Sequence, residues 1–503
     1  MTREVAATAL EGPDSPPPPV RLIGPHGAAV ALLVGVATVV RWPPLAPSSL
    51  WLDDAWAALV SRAEGPGQAA GMGLTAPGLA LLHYGLFRVL DFTAARAQVL
   101  PFVFGVAGPA LTYLLAVRRG LRPPFAFVGA VVLLTAPLHV VYATRVKQYT
   151  LDAVLALAVV AVAWRLLDAP TRRDRWVALA SVSIAATAIS AAVAPYVAAA
   201  FLAGGVVALR SGRRTVRLAV AAAAAYALFA VGWWLLVLRP LVTPDLRAYW
   251  SDFYPDLTPS AVADALGRVL DGFSPYPAAI GVALVVALAV LARRRPDLAL
   301  LLGVPAAVAV VLGVLEAAPL GGGRTDVYLY PALALLMAVG LDQLPPVPNW
   351  LAWAGAAATG AALVLALPPA PPYPEEDVRP LIEEVEARLA PDDVVLVYSA
   401  TRWAYGLYTR GPVTFEDDPD NMPGFDLHLR STAVRVLGPH RDQPERYAPA
   451  VAAAVATGGR VWLVASHWRS DLPAVEAAVS ATGRRQVERV ERPGAVMALW
   501  SAP

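Results

Sequence analysis

The sequence contains no cysteine and few charged residues. None of the 503 residues is Cys, which excludes disulfides, thiolate metal sites and cysteine nucleophiles. Only 16% are Asp, Glu, Lys or Arg, whereas soluble proteins carry about 25%. The formal net charge of +2 supplies no bulk positive charge for binding nucleic acid. An ordinary soluble enzyme is therefore disfavoured, and no nucleic-acid partner is expected.

Motifs of several catalytic classes are missing as well. The six His residues are scattered without an HExxH pair, and His139 is interpreted as a buried bundle residue rather than a metal ligand. No Walker A lysine motif, no GxGxxG motif after a strand and no GxSxG motif occur. The sequence thus gives no support for an ATP-driven pump, a nucleotide enzyme or an α/β-hydrolase.

Apolar sequence is abundant, since 57% of the residues are hydrophobic. Many stretches are long enough to cross the ~30 Å of hydrocarbon in a bilayer. The apolar run 176–209 is too long for one span, and we divide it near Ser190–Pro195 because proline disfavours a continuing helix. The eleven predicted spans are 23–41, 97–117, 123–143, 150–167, 176–192, 193–209, 218–238, 277–292, 298–316, 327–343 and 350–367.

The distribution of arginine predicts the orientation. Cytoplasmic loops of membrane proteins are enriched in Lys and Arg, and four Arg clusters fall on one side if the N-terminus is cytoplasmic. Residues 75–90 are apolar but short for a span and are interrupted by His83, Tyr84 and Arg88, so we interpret them as juxtamembrane or re-entrant near the outer interface. An odd number of spans then places the C-terminus outside. The clusters are Arg118–Arg122, Arg172–Arg175, Arg210–Arg217 and Arg293–Arg295.

Composition divides the chain into four parts. Residues 1–22 are expected to be a disordered cytoplasmic tail, with a cleaved signal peptide as the alternative. A membrane domain occupies 23–367, with its first outer loop at 42–96. The Pro-rich segment 368–374 is a stiff linker. Residues 375–503 are expected to form an extracytoplasmic α/β domain, with strands at Val394–Tyr398, Ala433–Leu437 and Val461–Ala465 and helices at 376–389, 444–457 and 471–482.

An acidic pair follows the first predicted span. Asp53 and Asp54 lie within Trp51–Trp56 (WLDDAW), where aromatic side chains suit the bilayer interface. Ionisable groups at the ends of spans are candidates for function. The alternative is a solvated helix N-terminus, where Asp is favoured by capping and by the helix dipole.

A basic cluster precedes the fourth span. Lys147 is the only Lys in the chain and lies within Arg145–Asp152 (RVKQYTLD), beside Arg145 and Tyr149. These two cations lie opposite the Arg-rich loops, which favours an anion site, most simply for phosphate. The alternative is that they reach the outer-leaflet headgroups along apolar stems.

Two further outer segments carry candidate residues. Gly321–Tyr330 (GGGRTDVYLY) places Arg324 before a helix start, and its glycines allow either close approach to a ligand or a plain tight turn. The loop of about 240–276 contains Tyr249 and Trp250. Aromatic residues there serve as interfacial anchors or, alternatively, contact a sugar or an acceptor.

These groups, in this order, resemble the motifs of the GT-C glycosyltransferases, in particular the branch with protein O-mannosyltransferases and aminoarabinose transferases. Asp53 and Asp54 match the acidic pair after the first span, with Asp54 where Glu is commoner. Thr75–Leu82 keeps part of an H-x-P-P-L-type motif. Arg145–Asp152 matches a "vKqYtld"-like run, and Gly321–Pro331 matches a glycine/arginine turn before an "RyllP"-like helix. The resemblance covers most of the chain.

The resemblance implies a polytopic α-helical membrane protein with a C-terminal outer α/β domain. It implies inverting transfer of a sugar from a polyprenyl-phosphate donor to a hydroxyl on a protein, lipid or polysaccharide, with membrane lipids as surroundings. Asp53 would be the general base, and Asp54 would orient the acceptor, hold the loop or help to ligate a divalent cation. No obligatory cofactor is expected, because a polyprenyl monophosphate leaves without metal. The implied contacts to donor phosphate are Arg145, Lys147, Tyr149 and Arg324. Possible contacts to sugar or acceptor are Thr75 and His83 of the matched segment and, from the aromatic loop, Tyr249 and Trp250.

Two other functions fit the same pattern of spans. A transporter or lipid flippase requires polar groups near the bilayer midplane and often internal repeats, whereas the charges here cluster at span ends. A non-catalytic scaffold would use the outer domain to bind a partner. The Arg-rich and Lys-poor composition is typical of a GC-rich bacterium, so we expect a plasma-membrane location.

Overall fold

The computed structural model describes residues 24–42, 49–241, 244–368, 375–418, 425–438, 443–456, 459–468 and 470–501. The predicted tail at 1–22 lies outside the described residues, as does nearly all of the predicted linker at 368–374.

The first part of the described chain is helical. Each predicted span coincides with a helix or, for 123–143, with a bent pair of helices. Seven helices have the length and hydropathy of a membrane span, and the bent pair would make an eighth. The helices are α1 Pro25–Arg41, α2 Leu52–Ala58, α3 Pro66–Gly71, α4 Pro77–Val89, α5 Ala94–Arg118, α6 Pro123–Leu134, α7 Pro137–Val141, α8 Tyr149–Asp168, α9 Arg173–Ile189, α10 Ala194–Ser211, α11 Arg213–Trp233, α12 Pro244–Tyr249, α13 Pro259–Phe273, α14 Pro277–Arg294, α15 Pro296–Val314, α16 Tyr330–Asp342 and α17 Asn349–Leu365.

Local sequence explains where several of these helices begin and end. Helix α9 ends at Ile189 and α10 begins at Ala194, which agrees with the predicted break near Ser190–Pro195. Helix α4 has 13 residues, so it is about 20 Å long and too short to span a bilayer. The structure thus gives segment 75–90 the short helix that a juxtamembrane position requires.

The bend between α6 and α7 is 65°. Pro137 begins α7 and has no N–H to donate, so the backbone hydrogen bonds of α6 are interrupted there. Arg41, fully buried at the end of α1, donates to the carbonyl of Leu134 at 2.9 Å and lies 2.9 Å from His139 Nδ1. His139 is therefore a buried bundle residue, as interpreted from the sequence.

The bundle has two chemically different ends. Arg119 pairs with Asp168 at 2.7 Å and Arg122 with Asp342 at 2.9 Å, which brings together the last residues of α5, α8 and α16 at one end. Helix α8 runs from this end to Tyr149, about 30 Å away. The acidic pair and Lys147 lie at the Tyr149 end, opposite the Arg-rich one.

The last part of the chain forms an α/β domain, which confirms the predicted fold class. Its five-stranded sheet has the order β4-β1-β5-β7-β6, in which β4, β1 and β5 are parallel and β7 is antiparallel to both of its neighbours. Strands β2 and β3 form a separate antiparallel pair. The elements are α18 Arg379–Arg388, β1 Val394–Val397, α19 Arg402–Tyr408, β2 Val413–Asp417, β3 Phe425–Leu429, β4 Val434–Val436, α20 Tyr447–Ala454, β5 Val461–Ser466, α21 Leu472–Ser480, β6 Gln486–Arg492 and β7 Ala495–Trp500.

This domain packs directly on the segment between α1 and α5. The Leu50 N–H donates to the Tyr408 hydroxyl at 2.7 Å, and the Arg62 guanidinium donates to the Leu407 carbonyl at 3.1 Å. One apolar core includes Val60 from the loop and Val395 from β1. The contacts place the α/β domain over the end of the bundle that carries the acidic pair.

Candidate active site

A cavity of about 910 Å³ lies between the membrane domain and the α/β domain. Helices α2, α4 and α12, the segment before α8, the turn before α16 and the loops after β1 and β5 all contribute to its wall. Charged and aromatic side chains are prominent among the lining residues, which include Trp51, Asp53, Trp56, Thr75, His83, Lys147, Tyr149, Arg247, Tyr249, Trp250, Tyr254, Glu316, Arg324, Ser399, Arg402, Trp403 and His467.

Asp53 is the acidic residue of this wall. It lies in the first turn of α2, where the helix dipole favours a negative charge. Its carboxylate forms an ion pair with the Arg324 guanidinium. Burial acts to raise the pKa of Asp53, but the positive charges of Lys147 and Arg324 outweigh this effect, and the pKa lies below its ordinary value. Asp53 is therefore ionised at neutral pH.

Asp54 and Arg145 lie behind the cavity wall. Asp54 is fully buried, accepts a hydrogen bond from the Val146 N–H at 2.8 Å and lies 3.5 Å from Arg145. Arg145 also pairs with Glu375 of the α/β domain and lies over the Trp51 ring at 5.1 Å. The structure thus does not bring Arg145 to the cavity with the other predicted phosphate contacts. Both carboxylates of the pair are buried, so the alternative of a solvated helix start does not fit.

Lys147 lies on the cavity side of the same segment. Its ammonium is 4.4 Å from the centre of the Trp56 ring, a cation–π contact. Burial lowers the pKa of Lys147, and the charge of Asp53 opposes this shift. The neighbouring Gln148 donates to Thr75 at 3.3 Å. Lys147 thus faces the carboxylate and the cavity, which the alternative of headgroup contact does not explain.

Arg324 is held by the glycine turn before α16. Gly321 and Gly323 have φ angles of 74° and 72°, which side-chain-bearing residues rarely adopt. Asp326 accepts hydrogen bonds from both glycine N–H groups, at 3.2 and 3.0 Å. The two glycines are therefore required for the backbone conformation of the turn, which is the second of the two alternatives drawn from the sequence. The turn directs Arg324 to Asp53 and to the Tyr249 hydroxyl, to which it donates at 3.1 Å.

The other predicted contact residues, Thr75, His83, Tyr149, Tyr249 and Trp250, also line the cavity, but the His83 ring already has a hydrogen-bond partner. Tyr249 packs edge-on against Trp250, and Tyr149 packs edge-on against Tyr142. His83 is 2% exposed and its Nε2 is 3.1 Å from the Ala97 carbonyl, so one ring nitrogen is already bonded.

The sequence analysis missed the contribution of the α/β domain. Ser399, Arg402, Trp403 and His467 line the cavity, of which Ser399 follows β1, Arg402 and Trp403 begin α19, and His467 follows β5. The available signal was their position, because each follows a predicted buried strand of a parallel sheet, where ligands commonly bind.

A protein site for a metal ion needs several His, Asp or Glu side chains close together. Among the residues that the structure describes, no three or more His, Asp or Glu side chains are grouped so as to hold a metal ion. Metal independence therefore stays a prediction.

Comparisons with known proteins bear on the fold. No protein-family model and no curated protein matches the sequence. The solved structure of ArnT from Cupriavidus metallidurans in the apo state aligns with a TM-score of 0.56 and 16% identity, covering 94% of this chain and 98% of that chain. The same protein bound to undecaprenyl phosphate aligns with a TM-score of 0.54, 16% identity and the same coverage.

A third structure, of the arabinofuranosyltransferase AftD from Mycobacteria, has a TM-score of 0.45 and 16% identity, with 95% of this chain and 40% of that chain covered. A score of this size does not establish a shared fold. The alignments with ArnT show that this chain shares the fold of that protein over nearly its whole length.

Proposed function

We propose that this chain is a membrane glycosyltransferase that moves a sugar from a polyprenyl-phosphate donor to a hydroxyl acceptor on the outer face of the plasma membrane. The observation that carries the proposal is the meeting of Asp53 with Lys147 and Arg324 on one cavity wall. The shared fold supports it, and one structure with that fold is bound to undecaprenyl phosphate.

The two cations suit the phosphate of the donor. As the glycosidic bond breaks, negative charge builds on the leaving phosphate, and fixed positive charges stabilise it more in the transition state than in the ground state. Lys147 supplies a compact charge and Arg324 a planar set of donors. The Tyr149 hydroxyl lines the same cavity and is assigned a hydrogen bond to the phosphate.

Asp53 suits the role of general base. Its ion pair with Arg324 keeps it ionised in the free protein. A donor phosphate between Lys147 and Arg324 would offset their charges, and the pKa of Asp53 would rise toward a value better suited to accept a proton. The acceptor hydroxyl gives its proton to Asp53, its oxygen bonds to the anomeric carbon, and the phosphate leaves with the bonding electrons. This direct displacement inverts the anomeric centre.

Asp54 and Arg145 position the catalytic segments in this scheme. Asp54 joins α2 to the backbone of Val146, next to Lys147, and Arg145 joins that segment to Glu375. The pair therefore fixes Asp53 relative to Lys147 without contacting the donor. No step requires a metal, so transfer should persist after treatment with EDTA.

Replacing Asp53 by Asn tests the proposal directly. Transfer of sugar from a polyprenyl-phosphate donor should fall about 10²–10⁴-fold, the usual contribution of a general base. The affinity for undecaprenyl phosphate should stay within about threefold, because both cations remain. Asp264→Asn, an exposed position on α13, is the matched control. Full activity of Asp53→Asn would refute the proposed base, and lipid flux in proteoliposomes without transfer would favour a transporter.

A further inference from the structure

The sheet of the α/β domain has a topological switch point. Strands β1 and β5 are neighbours and parallel, so their carboxyl ends lie at the same edge. After β1 the chain continues to β4 on one side of the sheet, and after β5 it continues to β6 and β7 on the other. In open α/β sheets, ligands bind in the crevice that such diverging connections leave.

This switch-point crevice, formed by Ser399, Arg402, Trp403 and His467, opens into the cavity of the active site. The first three residues follow β1, His467 follows β5, and all four line the cavity. Thr401 joins the two strand ends, since its Oγ1 accepts from the Ser466 N–H at 2.7 Å and donates to the Ser466 carbonyl at 3.3 Å. The α/β domain therefore presents a preformed binding edge opposite Asp53.

His467 has an unfavourable backbone conformation at this edge. Its φ angle is 54°, a left-handed value that is unfavourable for a residue with a side chain. Such strain persists where the surrounding structure enforces it, and it concentrates at functional sites. The imidazole lines the same cavity as Asp53, and its centre lies 6.2 Å from the centre of the Trp51 ring.

Glu376 orients the His467 ring. Its carboxylate is 2.7 Å from Nδ1 of His467, and Glu376 is only 4% exposed. An Nδ1–H that donates to this carboxylate leaves Nε2 of the neutral ring as a hydrogen-bond acceptor. Within the described part of the chain, Nε2 has no partner. The arrangement of a carboxylate, an imidazole and a free nitrogen is well suited to hold a hydroxyl group.

The other crevice residues indicate the class of ligand. The Trp403 ring lies 6.4 Å from that of Trp56, and the Arg402 guanidinium lies 4.3 Å above the Trp403 ring. Ser399 adds a hydroxyl group to the same wall. Aromatic side chains that line a cavity beside a few fixed polar groups match a sugar ring, which has an apolar C–H face and a hydroxyl edge.

We propose that the switch-point crevice is the acceptor subsite, that it takes a carbohydrate, and that His467, held by Glu376, positions the reacting sugar hydroxyl beside Asp53. The term acceptor rests on the proposed function, whereas carbohydrate binding at the crevice does not. His467 is a positioning residue here, and Asp53 receives the proton.

Binding of defined saccharides tests this proposal on the full chain in lipid nanodiscs. The probes are two neutral trisaccharides, mannotriose and arabinotriose, observed by saturation-transfer NMR, with undecaprenyl phosphate binding measured in parallel. At least one trisaccharide should bind the unsubstituted protein. His467→Gly, which suits the positive φ, and Trp403→Leu should each weaken that binding about five- to tenfold, as expected for the loss of one hydrogen bond or ring contact.

The controls separate a positioning role from a structural one. His467→Gln, whose amide reaches about as far as Nε2, should restore part of the saccharide affinity. His428→Ala on β3, outside the cavity lining, should change nothing. All variants should bind undecaprenyl phosphate as the unsubstituted protein does.

Three results would overturn the proposal. They are the absence of binding for both trisaccharides, unchanged saccharide affinity in His467→Gly and Trp403→Leu, and a parallel loss of saccharide and undecaprenyl phosphate binding in these variants. Failure of the proposed function is a distinct outcome, because the unsubstituted protein would then bind trisaccharide but neither bind undecaprenyl phosphate nor transfer sugar.

Discussion

Two neighbouring cations, Arg145 and Lys147, have different surroundings although they are only two positions apart. Lys147 lines the cavity, whereas Arg145 is enclosed by Asp54, Glu375 and the Trp51 ring. The chain turns sharply between them, since the Lys147 N–H donates to the Arg145 carbonyl at 2.7 Å, and this turn directs the two side chains to different sides. Lys147 is thus available to a ligand, whereas Arg145 stabilises the packing behind the cavity wall.

Substitution of each cation should therefore have a different effect. Lys147→Met should weaken undecaprenyl phosphate binding about 10–100-fold, because it removes a charged contact worth about 1.5–3 kcal/mol. Arg145→Met should leave that affinity within about threefold but lower the free energy of unfolding by about 3 kcal/mol, because Asp54 loses its buried partner. Tryptophan fluorescence titration and thermal unfolding measure the two quantities. Equal loss of affinity in both variants would contradict the assignment.

The buried carboxyl of Asp54 predicts a pH dependence of stability. Burial raises the pKa of Asp54 to about 6, and the charges of Arg145 and Lys147 only partly offset this rise. Because the folded pKa exceeds the ordinary value of about 3.9, the stabilising contribution of the group is present below pH 4 and is lost as the pH rises through about 6. The melting temperature of the unsubstituted protein, relative to Asp54→Asn, should therefore fall between pH 4 and pH 6 and level off above it. If the difference in melting temperature between the two proteins did not vary with pH, the pKa of Asp54 would be the same in the folded and unfolded chain.

The site residues were predictable to the extent that they are unusual in the sequence. Lys147 was recognised as the only Lys, Asp53 as an acidic residue after a span, and Arg324 as a cation after three glycines. The enclosure of Arg145 depends on Glu375, 230 positions away, which no local pattern reveals. His467 was not predicted, because its contact with Glu376, 91 positions away, and its φ angle are properties of the folded chain and leave no local sequence pattern.

At the scale of elements, the turn before α16 sets the position of Arg324. A Cβ atom at Gly321 would lie 2.7 Å from Arg268 Nε and 2.9 Å from the Ala265 carbonyl, in addition to the strain of a positive φ. The turn would have to move, and Arg324 would move with it.

Gly321→Ala should thus reduce both stability and donor binding. We expect a loss of about 1–3 kcal/mol in the free energy of unfolding and a weaker undecaprenyl phosphate affinity, measured as for Lys147. Gly355→Ala on α17 is the matched control, because a Cβ there meets open space. Donor affinity that stays normal in Gly321→Ala would mean that the turn does not position Arg324.

The broken span shows where prediction of an element from sequence stops. The apolar run 123–143 gave the position of the span, but its hydropathy does not show that the helix bends 65° at Pro137. The bend is stabilised by Arg41 from α1, a contact between residues 93 positions apart. A hydrophobic pattern indicates which residues are buried in a bilayer. It does not indicate where the backbone bends, because the bend depends on contacts between residues far apart in the sequence.

At the scale of the whole molecule, the opposite location of the Arg clusters and the cavity predicts a topology that can be measured directly. Because the chain has no Cys, one introduced thiol is labelled uniquely. Ser431→Cys, exposed on the α/β domain, should react with a membrane-impermeant maleimide on intact cells. Ser211→Cys, exposed beside the Arg cluster after α10, should react only after permeabilisation. The reverse pattern would place the active site in the cytoplasm.

The division into a helical bundle and an α/β domain was predictable, because the sequence changes near residue 368 from long apolar stretches to short apolar runs separated by polar residues. Strands β1, β4 and β5 were identified as short apolar runs, and the pattern of the first 367 residues indicated a helical bundle. Strand β6 was missed because its residues are mostly exposed and charged (QVERVER), and the hairpin partner β7 was missed with it. Contact between the two domains depends on shape, so the shared cavity could not be derived from sequence alone.

The joint construction of the cavity also has a consequence for biosynthesis. The ribosome makes the chain from its N-terminus, so Asp53 is inserted long before Arg324, which is 271 residues later, and longer still before the loop after β5. A nascent chain that has completed only α17 still lacks the wall of the cavity that the α/β domain supplies. The complete cavity therefore exists only once the α/β domain has been made and folded, so a prematurely terminated chain should lack the proposed transfer activity.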